Sequence, residues 1–526
     1  MHTEVLIVGA GPVGCALALE LAHHGVASVV IEKSRETTRH PKMDYLNVRS
    51  MELLRRLGLT EELRAKGVPS DQAFSFHWTT GLAGPGVASW SYWSVDDLRA
   101  HMAAANDGSL PCEPYQRVIG SRVEDLGRRR CRESALVDLR EGWTFESLSQ
   151  DADGVTVEVA DVHSGRTERL RARYAVGCDG SGSAVRTAAG ITVGTIGPAG
   201  QHCNVYFRSA DPALTRHGRF FLSISAGGVT LVSRDGNVTW TGSFPLADDE
   251  PLPADPMPLI RERLGVDFTV DEVYSAARWE NRLAVADTYR NGSVFVAGDA
   301  AHQYFPAGGY GANTGIADAA DLGWKLAAVL KGWGGPALLD SYQAERRPVA
   351  LFNREACFNL MEVWRRFMAL ARTGSPREVL AGYLEHQSYQ IQNLGVHLGY
   401  RYAGSPVVAV EDGPAPEWRW HGYVPTTWPG CRAPSVRLED GTELFDLLGN
   451  GFTLVDFSGT GAGVPLVNAA HRLGVPVTHL TVDDKNARSV WERDLVLVRP
   501  DQHVAWRGDG TPADAVAVLG RVTGRS

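Results

Sequence analysis

Paired cysteines, long apolar runs and an excess of positive charge are all missing from this chain of 526 residues. Its seven cysteines are scattered, with no Cys-x-x-Cys pair and no metal-ligand spacing. That argues against a disulfide framework and a zinc site, and points to a reducing cytoplasm. No window reaches the roughly 18 consecutive apolar residues of a membrane span. No basic stretch precedes a cleavable apolar one at the start, where the apolar run reads as a first buried strand. A formal net charge of −9 gives no broad electrostatic footprint for nucleic acid. The one dense basic run, Arg128-Arg129-Arg130, reads as decoration of a helix surface. Internal repeats and low-complexity tracts are absent as well, which sets solenoids aside.

What is present begins with a turn. The run Val5-Leu6-Ile7-Val8 leads into Gly9-Ala10-Gly11-Pro12-Val13-Gly14, and residues 15–24 then read as a helix. Strand, glycine turn and helix in that order form a dinucleotide fingerprint. Gly9 allows the turn, Gly11 lets backbone approach a pyrophosphate, and Gly14 permits close packing of helix on strand, with Pro12 between them. The helix start supplies free N–H groups and a positive dipole end for phosphates. A second strand, Ser28-Val29-Val30-Ile31, ends at Glu32, about 20 residues past the glycines, where a carboxylate takes ribose hydroxyls. An acid there suits FAD or NAD rather than NADP, and Lys33 beside it joins the cofactor set.

The remote segment Gly298-Asp299-Ala300-Ala301-His302 favours FAD. Asp299 follows a strand and can accept hydrogen bonds from ribityl hydroxyls. Gly308, Gly309 and Gly311, with Ala312 and Asn313, present bare backbone at a helix start, which suits a planar isoalloxazine. N–H groups and a helix dipole there stabilise negative charge on the reduced ring.

With 44% hydrophobic and 21% charged residues, the chain is an ordinary globular protein of two or three domains. The expected fold class is α/β, α+β overall. A Rossmann-like domain occupies 1–190 and 284–400, an inserted antiparallel sheet 191–283, and a linker with a small α/β unit 401–526, after a Pro-rich passage at 413–434. Residues 50–58 form a helix with a core stripe of Met51, Leu53, Leu54 and Leu57. Residues 112–140 read as helical, 154–160 and 169–177 as a hairpin, and 204–207, 219–224, 229–233 and 238–244 as strands of the inserted sheet. Residues 293–297 return the chain to the first domain, before helices at 315–330 and 340–371. The C-terminal unit has strands at 452–457, 477–480 and 495–498 and a helix near 464–473. Aromatics at Phe74, Phe76, Trp78, Trp90, Tyr92 and Trp93 read either as plain strand packing or as a wall around a flat ligand, and the excursion 74–107 goes with the inserted sheet.

Three motifs in order, Gly9 to Gly14, Cys178-Asp179-Gly180-Ser181-Gly182-Ser183-Ala184-Val185-Arg186, and Gly298-Asp299 with its sequel, carry a resemblance. The sequel is Pro306-Ala307-Gly308-Gly309-Tyr310-Gly311-Ala312-Asn313-Thr314-Gly315, then Leu322-Gly323-Trp324-Lys325-Leu326-Ala327. The chain resembles the single-component FAD-dependent aromatic hydroxylases, the group that includes para-hydroxybenzoate hydroxylase, phenol hydroxylase and polyketide-tailoring monooxygenases. The resemblance implies reduction of FAD by NADPH or NADH, reaction with O2 to a flavin C4a-hydroperoxide, and OH transfer to an aromatic ring. The aromatic, glycine-rich insert favours a large polycyclic or polyketide-like phenol, or another secondary metabolite, over a small benzoate; no nucleic acid, membrane or metal is expected, and the chain is expected to be a monomer or homodimer. With one dinucleotide fold, the reductant binds transiently.

The resemblance also implies roles for individual residues. Asp179 and Gly180 lie near the pyrophosphate, unless Asp179 only caps a turn. Pro306 sits on the oxygen side, its carbonyl toward a substrate hydroxyl. Lys42, in His40-Pro41-Lys42, stands where relatives have Arg near the pyrophosphate, and Gln116 matches a flavin-facing Gln. Arg49 faces either cofactor or solvent. His302 is flavin scaffolding. Tyr45 and Tyr206 are catalytic candidates, with Asp44, Ser223 and Thr241 as further substrate-site polar groups. The C-terminal unit resembles a thioredoxin-like extension without Cys-x-x-Cys, an oligomer contact or structural cover. Trp418-Arg419-Trp420 superficially matches a flavin halogenase signature, but the Ile-Pro that should follow is absent and the position is too late. An FAD-dependent oxidase or dehydrogenase of a similar aromatic is the main alternative, and a catalytically silent FAD-binding protein the third.

Overall fold

The computed structural model describes residues 2–38, 40 and 42–525. Its first sheet runs in the order Arg290–Asn291, Val294–Val296, Thr167–Gly177, His2–Val8, Ser28–Glu32, Val137–Glu141. The inner pairings are parallel, and the hairpin strands Trp143–Asp151 and Gly154–Asp161 extend from Thr167–Gly177. Val5, Leu6, Ile7, Val29, Val30 and Ile31 are all buried, the continuous apolar text of a parallel sheet covered on both faces. Helices Pro12–His23 and Tyr310–Leu330 pack against each other over it.

The expected helix over 112–140 is shorter in the structure. It spans Gly120–Glu133 and stops at Ser134, whose backbone turns extended. Residues Val137–Glu141 then form a strand parallel to Ser28–Glu32. Local propensity in this charged stretch favours a helix, and tertiary pairing with a buried strand overrides it.

The second sheet runs His302–Gln303, Glu272–Ala286, Val193–Arg208, Thr239–Leu246, Thr230–Ser233, Leu222–Ser225, Phe74–Thr79, Ala88–Tyr92. It is antiparallel except where Leu222–Ser225 pairs with Phe74–Thr79. Glu272–Ala286 has no counterpart in the sequence reading, because its outer half is exposed and shows no clean apolar alternation. One face carries Cys203, Val205, Phe207, Leu231 and Phe244 and is closed by Met257, Ile260 and Leu264 of the helix Met257–Leu264. Cross-strand register puts Phe76, Trp78, Leu222, Ile224, Thr241 and Tyr206 on the other face.

The C-terminal sheet has the order Val477–Thr481, Phe452–Asp456, Leu495–Val498, Val504–Gly508. One parallel pairing across the helix Val464–Arg472 is followed by an antiparallel hairpin and the helix Ala515–Val522, the thioredoxin arrangement. Trp324, from the helix Tyr310–Leu330, packs with Phe452, Leu454, Leu466 and Leu519 of this unit. Beside it lies a wholly buried ionic cluster. Arg499 reaches Glu345 at 2.7 Å, Asp321 at 2.8 Å and Asp501 at 2.7 Å, and Lys325 lies 2.8 Å from Asp321. Arg49 belongs to the same seam and faces neither cofactor nor solvent. It bonds Glu52, Gln502 Oε1 and the Asp501 carbonyl, while Arg432 takes Glu52 from the other side.

Removing one member of such a cluster strands the rest in a medium that cannot solvate them. Arg499→Met is expected to cost about 3–5 kcal/mol in urea unfolding, against less than about 0.5 kcal/mol for Arg130→Ala at the exposed Glu62–Glu133 pairs. Burial holds the His503 imidazole down to about 4, and Arg499 and Lys325 hold Glu345 down to about 2 against the opposing cost of its burial. Both groups bind protons more readily when unfolded. Stability is therefore lost as pH falls, first from 6.5 towards about 4 through His503, then from 4.5 towards about 2 through Glu345. A series of thermal midpoints against pH should show this fall, with a shallower upper limb in His503→Phe.

Candidate active site

At the first turn, backbone packing dictates the outer two glycines. Gly9 has φ +103°, and a Cβ there would meet the Cys178 carbonyl oxygen at 2.5 Å. A Cβ on Gly14 would meet the Gly9 oxygen at 1.9 Å. A Cβ on Gly11 would meet nothing within 4 Å, so the middle glycine leaves open space in front of the backbone. The helix Pro12–His23 starts there with no side-chain cap, leaving first-turn N–H groups to a ligand. Glu32 stands at the end of its strand, where its carboxylate accepts from the Ala10 and Ser34 N–H groups, both at 2.9 Å. Lys33 is exposed beside it.

Arg128 is no surface decoration. It is 2% exposed, donates to the Ala10 carbonyl at 3.3 Å and the Ser34 carbonyl at 2.9 Å, pairs with Glu124 and lies 3.9 Å from Glu32. Arg129 and Arg130, on the outer side of the helix, pair with Glu62 and Glu133. The signal was helical phase: Arg128 is four residues after Glu124 and three before Cys131, on one buried stripe of the helix.

The second glycine motif meets the first through Val13. A Cβ on Gly298 would meet a Val13 methyl at 2.9 Å, and one on Gly315 would meet the same side chain at 2.5 Å. Asp318 fixes this corner: it accepts from the Gly298 N–H at 3.2 Å, from His302 at 2.8 Å and from Arg346 at 2.8 Å. His302 is wholly buried in that contact. Asp299 opens to the cleft while protein crowds its other sides, and that burial raises its carboxyl against the pull of His302 and Lys42. Lys42 is exposed, near enough for its charge to act on Asp299; Pro41 lies outside the described residues. Asp179 and Gly180 border the turn, but both Asp179 oxygens are taken locally, by the Ser183 hydroxyl and the Val185 N–H. This is the capping geometry.

Pro306 is exposed to solvent ahead of the flavin-type loop, and Gly308 and Gly309 both take left-handed backbone, φ +80° and +66°. A Cβ on Gly309 would meet the Tyr45 ring at 2.9 Å. Gly311 and Ala312 remain partly open. Asn313 stitches loop to ribbon, accepting from the Asn47 N–H and donating to the Tyr45 and Gly309 carbonyls. That ribbon pairs Tyr45 with Arg117 and Leu46 with Gln116. Gln116 accordingly turns away from the Tyr45 side, held by Arg64 and the Val68 and Arg117 carbonyls. Alternation across the ribbon gives Arg117 the face that sequence had offered to Gln116.

Tyr45 packs on Phe74 and Tyr115, ring centres 5.0 and 5.6 Å away, and burial raises its hydroxyl well above the usual range. Tyr206 lies on the open sheet face with Tyr274 at 4.8 Å. Thr241, opposite it, accepts from Arg234, which also pairs with Asp44. Ser223 does not join them; its register partner Leu231 places it on the covered face. His40 reaches the sheet through Ser275 Oγ at 2.9 Å. Tyr310 lines a cavity of about 500 Å³ together with Leu360, Tyr383, Asn393, Trp420 and His421.

A family model described as FAD binding domain matches residues 2–353, and one described as aromatic-ring hydroxylase, C-terminal, matches residues 426–526. The chain belongs to the FAD-dependent aromatic-ring hydroxylases. It is 36% identical to the FAD-dependent monooxygenase apdD of Emericella nidulans over 96% of this chain and 87% of that one. It is 33% identical to the tetracenomycin B2 monooxygenase-dioxygenase of Streptomyces olivaceus, over 100% and 98%. The rebeccamycin biosynthetic enzyme RebC with reduced flavin superimposes with a TM-score of 0.88 at 33% identity, covering both chains fully.

The geometry fits the family's cofactor: open space at Gly11, an accessible carboxylate at Asp299 and bare left-handed backbone at Gly308 and Gly309. Gly11→Ala should keep the fold and weaken FAD retention by about tenfold or more, about 1.4 kcal/mol. Gly14→Ala should lower the thermal midpoint as well, because its Cβ has no space. Flavin absorbance per protein and thermal melts on both variants separate the two effects.

Proposed function

We propose that this hydroxylase uses NAD(P)H and O2 to place a hydroxyl group on a planar, polycyclic phenol. The observation that carries the reading is the open face of the second sheet. It is aromatic at Phe74 and Phe76 and polar at Thr241, Tyr206 and Ser275, while Trp78 and Trp90 at its far end are closed under the helices Ala337–Arg372 and Arg377–Gln387, and the ribbon bearing Tyr45 joins it to the Gly308–Gly309 loop. A flat aromatic with oxygen substituents at one end matches that gradient. Names among the relatives, tetracenomycin and rebeccamycin, support the size of the substrate.

The Gly11 backbone and the helix behind it hold the pyrophosphate, Glu32 the adenosine ribose, Asp299 the ribityl chain, and the backbone of 308–313 the isoalloxazine. FAD, when bound, supplies the activated oxygen. Pro306 offers its carbonyl to a substrate hydroxyl, and Tyr206 and Thr241 orient the polar end. Tyr45 with Phe74 and Tyr115 keeps water from the reacting edge. With one dinucleotide fold, the reductant enters the cleft transiently beside Lys42.

The test is NAD(P)H oxidation by the yellow holoenzyme, with and without polycyclic phenols, with peroxide and product mass measured together. Stimulated oxidation with a product heavier by one oxygen and little peroxide supports the reading. Stoichiometric peroxide with unaltered aromatic, from compounds that bind, assigns an oxidase instead. Tyr45→Ala is expected to raise the peroxide-to-product ratio about threefold or more, since removing the ring admits water.

A further inference from the structure

Arg117 is a buried cation with too few acceptors. It is 3% exposed, and a guanidinium carries five N–H donors. Among the described residues its one hydrogen-bond acceptor is the Ser233 carbonyl at 2.9 Å, and Nε is buried with no partner. The head lies 4.9 Å from the Phe221 ring centre, and Phe221 stacks on Phe74 at 4.9 Å and 20°. Burial lowers its pKa to about 10, with Tyr115, Asp44 and Asp235 only partly offsetting that cost. Asp44 is already committed to Arg234. Arg128 makes the contrast, since its head meets two carbonyls, Glu124 and Glu141.

A desolvated guanidinium so sparsely paired is costly unless an anion completes it. Its position says which anion. Arg117 shares the ribbon face with Tyr45, and its contacts, Phe221 and Ser233, belong to the segments that bear the second sheet's open face. The pyrophosphate turn at Gly11 is served by other groups, the helix start and the Arg128 corner.

We propose that Arg117 anchors an oxyanion carried by the aromatic substrate, a ring carboxylate or an equally acidic ring hydroxyl. The proposal rests on the hydroxylase reading above and narrows its substrate to an acidic polycycle. The guanidinium plane takes two oxygens in parallel, so the anchor also fixes the rotation of the ring about that contact and with it the carbon presented to the flavin.

The test uses 3-hydroxy-2-naphthoate and 2-naphthol, the same rings with and without a carboxylate. Binding to the FAD-loaded protein is followed by the change in flavin absorbance. The wild-type protein is expected to prefer the naphthoate by tenfold or more, about 1.4 kcal/mol. Arg117→Gln should bring that ratio close to one, and Arg117→Lys, a point charge without the planar fork, should keep part of it. Equal affinities in the wild type, or a preference that survives Arg117→Gln, overturns the proposal. So does loss of bound FAD in a folded Arg117→Gln protein, which would assign the residue to the cofactor. The wild-type comparison stands even where a variant misfolds. Arg117-dependent naphthoate binding with no oxygenated product leaves the anchor standing and removes the hydroxylase reading. Naphthol hydroxylation with no preference for the acid does the reverse.

Discussion

One buried carboxylate sets the geometry of the cofactor cleft. Asp318 is wholly buried, which works against its charge, yet His302 and Arg346 more than offset that cost and hold its pKa low. Its oxygens gather the Gly298 N–H, His302 and Arg346, so the turn between strand and loop has one way to close. Asp299, next in the chain to Gly298, is thereby aimed at the cleft. The same carboxylate lies on the helix whose start carries Gly311 and Asn313. Turn and helix are the two halves of the flavin end, and a single acid ties them together.

The constraint extends through the molecule. Arg346 also donates to the Thr314 carbonyl, and its head lies 5.4 Å from the Tyr400 ring. One turn further along the same helix, Asp321 and Lys325 enter the cluster completed by Arg499 from the C-terminal unit. Charges so deeply buried contribute little net stability over apolar packing, but they tolerate no slippage, since each misplacement leaves an ion unpaired. The C-terminal unit thus packs against the helix that carries Gly311 and Asn313, through Arg499 and the cluster around Trp324.

Local chemistry was legible in the sequence where spacing alone dictates it. Gly9, Gly11, Gly14 and Glu32 sit within one strand-turn-helix-strand unit, where the structure shows backbone crowding at Gly9 and Gly14, open space at Gly11 and a backbone contact from Ala10 to Glu32. What stayed hidden depends on which way an alternating or helical element faces. Gln116 and Arg117 are neighbours, and only the pairing of Tyr45 with Arg117 says which of them turns to the Tyr45 side. Ser223 and Thr241 look alike as strand hydroxyls, yet register sends them to opposite faces of one sheet. Arg128 was lost inside a run of three arginines because charge suggests surface, whereas Arg128, in phase with Glu124 and Cys131, is buried and Arg129 and Arg130 pair with Glu62 and Glu133 at the surface. The strand at Val137–Glu141 exists because Ser28–Glu32 needs a neighbour, a long-range demand that no local window contains.

The two sheets solve different problems, and on the reading proposed above selectivity arises at their junction. The first, buried on both faces, holds a cofactor by backbone and helix starts, groups that any sequence in the family can supply. The second offers one covered face and one open face, so its outward side chains are free to vary without loss of fold. In this chain those side chains include Arg234 paired with Asp44, Tyr206 beside Tyr274, and the rings of Phe74 and Phe76. An aromatic lying on that face meets dispersion forces at one end and fixed dipoles and charges at the other. Dispersion tolerates sliding, whereas hydrogen bonds and ion contacts do not. On the reading proposed above, the polar end of the sheet, by the ribbon that carries Tyr45 and Arg117, sets the register of the ring against the Pro306–Gly311 loop, and so the carbon that faces it.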